Sequence, residues 1–202
     1  MSGSGVSLQD LVHAALANLA GEKWAVSDAG PHVPARPGLY AIYGDETAWS
    51  ELELTPVPTA PLYVGKAEES LASRDLDGHF ALSSSSSART GSSTVRRSFA
   101  ALLKHALDLR GMPRNPEKPE RFANYGLAGD GDSRLNAWMR SRLSLAIWEA
   151  PYAMSVPLRL VEAQVIAHYA PPINIAGNPH KLARLSRARA VMASEASAFL
   201  GS

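Results

Sequence analysis

The sequence predicts an α+β fold, a small mixed or antiparallel β-sheet flanked by helices, with an extra helix at each end. Two aromatic runs close together, Gly38 to Tyr43 and Pro61 to Gly65, read as neighbouring strands, because Pro, Gly and charge bound their apolar and aromatic residues. Helical stripes precede and follow them. A further apolar run, Leu143 to Glu149, supplies another strand late in the chain.

In chain order, Leu8, Leu11, Val12, Ala15, Leu16 and Leu19 recur at helical spacing, so Ser7 to Ala20 is expected as an amphipathic helix begun by a Ser cap. The proline-containing linker 26–37 leads into the first strand. On a hairpin, Tyr40 and Tyr63 can bring two phenols within reach on one face, where they can bind, orient or deprotonate a water. The connection 44–60 is long for a hairpin and carries Trp49 with Asp45, Glu46, Glu51 and Glu53. Glu69 to His79 reads as a helix carrying Arg74, and the serine run Ser83 to Ser87 as a mobile loop.

A helix from Thr94 to Leu109 follows, with Val95, Phe99, Leu102, Ala106 and Leu109 on its buried stripe. Its first turn holds Arg96 and Arg97, where the helix dipole favours acids; they read either as exposed side chains or as phosphate contacts. Arg121 to Leu127 is expected as a strand, and Asp130 to Arg142 as a helix burying Leu135, Trp138 and Met139. Asn178-Pro179 opens the expected terminal helix, with Leu182, Leu185, Met192, Ala196 and Phe199 on its apolar side. Lys181, Arg184, Arg187 and Arg189 make its first half basic, suited to a phosphate backbone or to a wet outer face.

A chain of 202 residues, 46% hydrophobic and 19% charged, suits one soluble domain with peripheral additions. No apolar run reaches a membrane-spanning length and no leader-like start is present, so a cytoplasmic location and no membrane partner are expected. With no cysteine, disulfides and thiolate chemistry are excluded. The net charge of +1 hides a polarity. Residues 1–78 hold four basic and eleven acidic side chains, a balance of −7; residues 79–202 hold sixteen and eight, a balance of +8. A basic face can meet a polyanion under a neutral total.

On a helical wheel, Leu158, Val161, Val165, Ile166 and Tyr169 fill one apolar arc, and Glu162 falls inside it. A carboxylate aimed inward needs a partner, either a hard divalent cation or an ion pair, for which Arg74 is the candidate. Lys66, directly after the second strand run, is a cation that could lower a phenol's pKa.

The ordered set Gly38-Leu39-Tyr40, Tyr63-Val64-Gly65, Arg74, Glu162 and Asn174 resembles the GIY-YIG nuclease superfamily over roughly residues 37–179. The departures are Leu and Val in place of Ile in the two triplets, and the long 44–60 connection. The resemblance divides the chain into residues 1–36 (helix and linker), 37–178 (GIY-YIG-like domain) and 179–202 (basic amphipathic helix). It implies a metal-dependent endonuclease hydrolysing DNA phosphodiesters, of restriction, defence or repair type, with Mg²⁺ or Mn²⁺ on Glu162. Arg74 would hold the phosphate, Tyr40 would act as base or water-orienter, Tyr63 would be its hydrogen-bonded partner, and Asn174 would orient a tyrosine or close the site.

Some relatives carry a His just after the motif Arg, which brings in His79; five residues on an ideal α-helix rotate about 140°, so Arg74 and His79 should point apart unless Gly78 breaks the helix. Gly38 and Gly65 mark the motif as backbone residues. RNA or branched DNA as substrate, and a catalytically silent nucleic-acid-binding module, are the alternatives. A homodimer is possible because one active site cuts one strand.

Overall fold

The computed structural model describes residues 6–80, 90–115, 117–152 and 154–199; the serine run 83–87 lies outside them. Helix α1 (Leu8–Ala20) starts at Ser7, whose hydroxyl accepts from the Asp10 N–H while the Asp10 carboxylate accepts from the Ser7 N–H. Strand β1 (Trp24–Ala25) is short, and β2 (Gly38–Gly44) is the long central strand. The 44–60 connection contains a short helix, α2 (Glu46–Glu51), capped by Asp45 and burying Trp49. After β3 (Tyr63–Ala67) the chain winds through a π-helix, Ala72–His79. Then come α3 (Thr94–Leu102), β4 (Gly111–Met112), β5 (Gly126–Leu127), α4 (Gly131–Arg142), β6 (Leu143–Glu149), α5 (Leu158–Tyr169) and α6 (Ala183–Ala198).

The main sheet is antiparallel throughout, in the order β1-β6-β2-β3, and β4 and β5 form a separate ribbon. The two-residue alternation of β2 sorts its side chains between two cores. Leu39, Ala41 and Tyr43 join Leu11, Leu19, Val161 and Val165 beneath α1 and α5. Tyr40 and Ile42 face the other way, into a core with Phe80, Phe99, Trp138 and Met192. The sheet is thus a central layer, which is why β2 is buried along almost its whole length.

Three expectations about these elements are corrected. The helix from Thr94 stops at Leu102, where Leu103 leaves helical geometry at φ −89° and ψ 9°; turns follow, and Asp108 redirects the chain at φ 47°. Leu109 remains buried, so the stripe continues past the end of the helix. Residues 121–127 are mostly a 3₁₀ turn, Pro119–Asn124, started by proline, and the strand shrinks to β5. Asn178 does not open the last helix: its carbonyl accepts from the His180 N–H and its amide donates to the Pro171 carbonyl, and α6 begins at Ala183. The connection's acids are structural: Glu51 accepts from the Trp138 indole, and Glu53 from Arg184.

Candidate active site

The catalytic candidates meet where β3 forms the sheet edge. In the β2–β3 ladder Tyr40 lies opposite Gly65, and Tyr63 is two residues along on the same face, with ring centroids 6.0 Å apart. Gly65 makes this arrangement possible. A Cβ there would overlap the Tyr40 hydroxyl and lie 2.8 Å from Cε1 of Tyr63, so the missing side chain clears room for both phenols. At Gly38 a Cβ would collide with the Trp148 carbonyl and lie 2.8 Å from Cδ1 of Leu71.

Arg74 and His79 come from the π-helix. Its wider winding, closed by the Phe80 N–H on the Asp75 carbonyl at 3.0 Å, brings residues five apart to one side. Both side chains line one cavity, which corrects the expectation that they point apart. The cavity, of about 550 Å³, is walled by Tyr63, Lys66, Arg74, His79, Ser93 and Glu162. Glu162 arrives from α5, where the wheel placed it, and is half-buried. Burial raises its carboxyl pKa; Lys66 opposes that most strongly, Glu68 adds to it and Arg74 opposes it. Among the described residues Glu162 makes no ion pair with Arg74 or any other side chain, and Lys66 pairs with Glu68. Lys66 therefore acts on the acid beside it; it does not stand out as the cation tuning a phenol.

Tyr40 and Tyr63 occupy different surroundings. Tyr40 is 0% exposed, and its hydroxyl shares a 2.8 Å hydrogen bond with Nε2 of His79. Burial pushes its pKa far up, Tyr63 and Asp75 add to this, and Arg74 beside its oxygen works against them. Tyr63 reaches the cavity; its pKa is raised by burial, then by Glu162, with Arg74 and the Tyr40 hydroxyl opposing. Burial works against the charge on Arg74, but Tyr40, Tyr63 and Asp75 together more than offset it, so its pKa is raised. Tyr63 thus lines the cavity, and Tyr40, which the resemblance makes the base or water-orienter, lies buried behind it.

Asn174 does not line that cavity; with Tyr63 and Glu162 it lines an adjoining one of about 200 Å³. Its carbonyl accepts from the Val64 N–H and its amide donates to the Val64 carbonyl, both at 2.8 Å. The side chain thus occupies the place of a missing neighbour strand on the outer edge of β3 and fixes the residue between Tyr63 and Gly65.

Arg96 and Arg97 do not lie on the surface. Arg96 is fully buried, bonded to the His79 carbonyl, Asn136 and Asp132. Arg97 turns back to the Gly91 carbonyl and the Thr94 hydroxyl. The π-helix and the 90–93 segment pack over the start of α3, so the dipole's unfavourable end is covered by carbonyls and a carboxylate. Arg184 is taken up by Glu53 and the Leu52 carbonyl, whereas Lys181 and Arg187 are exposed.

Two residues of the site were not foreseen. Ser93, the N-cap of α3, also bonds Nδ1 of His79 at 2.8 Å, extending the chain from Tyr40 through His79. The cap itself was legible as a Ser before a helix; its second use depends on the π-helix. Burial, followed by Arg74 and Arg96, pushes the His79 pKa down to about 3, so its ring is neutral. Asp75 is 0% exposed with both carboxyl oxygens unpartnered, and burial, opposed by Arg74, raises its pKa well above its ordinary value. Only its place after Arg74 marks it in the sequence.

A family model described as the GIY-YIG catalytic domain matches residues 44–191, which takes in Tyr63, Arg74, His79, Glu162 and Asn174 and begins just after Tyr40. No curated protein and no solved structure matches. Since the match covers most of the sequence, and the residues it takes in gather at one sheet edge, the chain belongs to the GIY-YIG catalytic domain family, a family of nucleases.

Proposed function

We propose that the protein is a divalent-metal-dependent endonuclease that hydrolyses DNA phosphodiester bonds, of restriction, defence or repair type. The observation that carries this reading is the convergence of Tyr63, Arg74 and Glu162, from three separate elements, on one open cavity. The Arg74 fork matches two non-bridging phosphate oxygens, and the phenols keep it charged and aimed. Tyr63 lines the cavity and orients the attacking water through its phenol oxygen. Tyr40, braced by His79, holds that oxygen from behind.

Among the described residues no group of three or more His, Asp or Glu side chains is arranged to hold a metal. Glu162 still fits one: its carboxylate faces the cavity without an ion-pair partner, and Mg²⁺ or Mn²⁺ keeps most of its own water and needs few protein ligands. Bound there, the ion would neutralise charge building on the phosphate.

The test is a supercoiled-plasmid digest with Mg²⁺ against EDTA, repeated with Glu162→Ala and Arg74→Ala. Cleavage should need the metal and fall at least about a hundredfold in each variant. Equal cutting in EDTA, or a fully active Glu162→Ala protein, overturns the reading. A parallel panel of duplex DNA, branched DNA and RNA at one salt concentration fixes the substrate.

A further inference from the structure

Three arginines, Arg97, Arg114 and Arg189, meet between α3 and α6, and among the described residues none of them forms an ion pair with a carboxylate. Arg97 is 7% exposed; it donates to the Gly91 carbonyl at 2.8 Å and to the Thr94 hydroxyl at 3.0 Å, and its Nε has no partner. Arg114 donates to the same Gly91 carbonyl at 3.3 Å, so two guanidinium groups are drawn onto one oxygen. The Arg114 side chain lies directly over Gly91, where a Cβ would stand 2.8 Å from its Cγ. Arg189 of α6 stands beside Arg97 and the Tyr125 hydroxyl, whose proton goes to the Arg97 carbonyl at 2.6 Å.

Several other arginines of the fold are balanced by acids. Arg96 has Asp132, Arg134 has Asp130, Arg142 has Asp45 and Glu51, and Arg184 has Glu53. Here the neighbours are like charges: burial, then Arg189, with Arg114 adding to it, pulls the Arg97 pKa down to about 10. Such crowding is unfavourable unless an anion offsets it, and planar guanidinium forks match phosphate. The cluster also borders the catalytic cavity through a shared segment. Gly91 and Thr94 hold Arg97, while Ser92 and Ser93 between them line the cavity.

We propose that Arg97, Arg114 and Arg189 form a second anion site, which takes a phosphate of the nucleic-acid backbone flanking the scissile one. Arg114, exposed, and Arg189, half-buried, are the contacting side chains; Arg97 is a fixed charge behind them. The site rests on the reading of the protein as a nuclease acting on nucleic acid.

The test is duplex binding by fluorescence anisotropy in EDTA, from about 50 to 200 mM NaCl, for the wild type, Arg114→Gln, Arg189→Gln and, as a control, Arg142→Gln. Each of the first two should flatten the dependence of log K on log salt by roughly 0.9 and weaken binding several-fold; Arg142→Gln should change neither. The melting temperature of Arg114→Gln should be no lower than that of the wild type, because its removal relieves repulsion. Wild-type salt slopes in both variants, with cleavage intact, overturn the second site and leave the nuclease reading standing. Flattened slopes from a protein that cuts nothing with any divalent ion uphold the site and overturn the nuclease reading.

Discussion

Tyr40 and Tyr63 bring the same hydroxyl to opposite sides of one wall, and the difference can be measured. Tyr63 faces the cavity, so Tyr63→Phe should lower single-turnover cleavage at least about a hundredfold while duplex affinity holds. Tyr40→Phe removes a buried hydroxyl, leaves His79 Nε2 without its partner, and should cost stability of about 1–3 kcal/mol besides activity. Equal losses of rate, with neither variant destabilised, would contradict the division of roles. His79 offers a pH test. Its folded pKa, about 3, lies below the ordinary 6.5, so the folded protein binds fewer protons than the unfolded chain through that window. Its contribution to stability is complete above about 6.5 and declines as the pH falls, by up to about 1.4 kcal/mol per unit. Asp75 has the opposite sign: with its folded pKa raised, it favours folding in acid, and that support is lost as the pH rises above about 3.9. NMR separates the two, since the His79 ring should still be neutral at about pH 5, and a midpoint between about 6 and 7 would refute the burial argument.

At the scale of elements, what was legible is what periodicity controls. The tyrosine strands, β6, α1, α4 and α5 follow from patterns of two and 3.6, and Glu162 stood out because an acid inside an apolar arc is conspicuous. The site's other half depends on features without a sequence period. The π-helix turns Arg74 and His79 to one side, and the burial of Arg96 and Arg97 depends on what packs over the start of α3. Asn174 shows the limit well. The motif points to the residue, but its role appears only when β3 is seen as an edge strand whose Val64 N–H and C=O need partners. Asn174→Leu should therefore leave two buried backbone groups unpaired and destabilise the fold by about 2–5 kcal/mol. It should also raise amide exchange across β3, read by hydrogen–deuterium exchange. Normal protection of β3 in that variant would show that the clamp is dispensable.

For the whole molecule, the open matter is whether α6 is an appended basic arm or part of the nuclease layer. Leu185, Met192 and Ala196 are fully buried, and Met192 belongs to the same core as Tyr40, Phe99 and Trp138. The α6 backbone also sits so close to β4 that a Cβ at Gly111 would collide with the Met192 carbonyl. Glu195 fastens the same turn, accepting from the Gly111 N–H at 3.0 Å and pairing with Lys104 at 2.7 Å. An arm added for charge alone would need none of this. If α6 completes the core, Met192→Ala opens a cavity and should cost about 2–5 kcal/mol, with a single cooperative denaturation curve moved to lower denaturant. Because the cavity-lining residues are on other elements, cleavage per folded molecule should be unchanged at low temperature. A biphasic curve, with the first phase confined to α6 and a second keeping the wild-type midpoint, would mean instead that the terminal helix folds apart from the sheet.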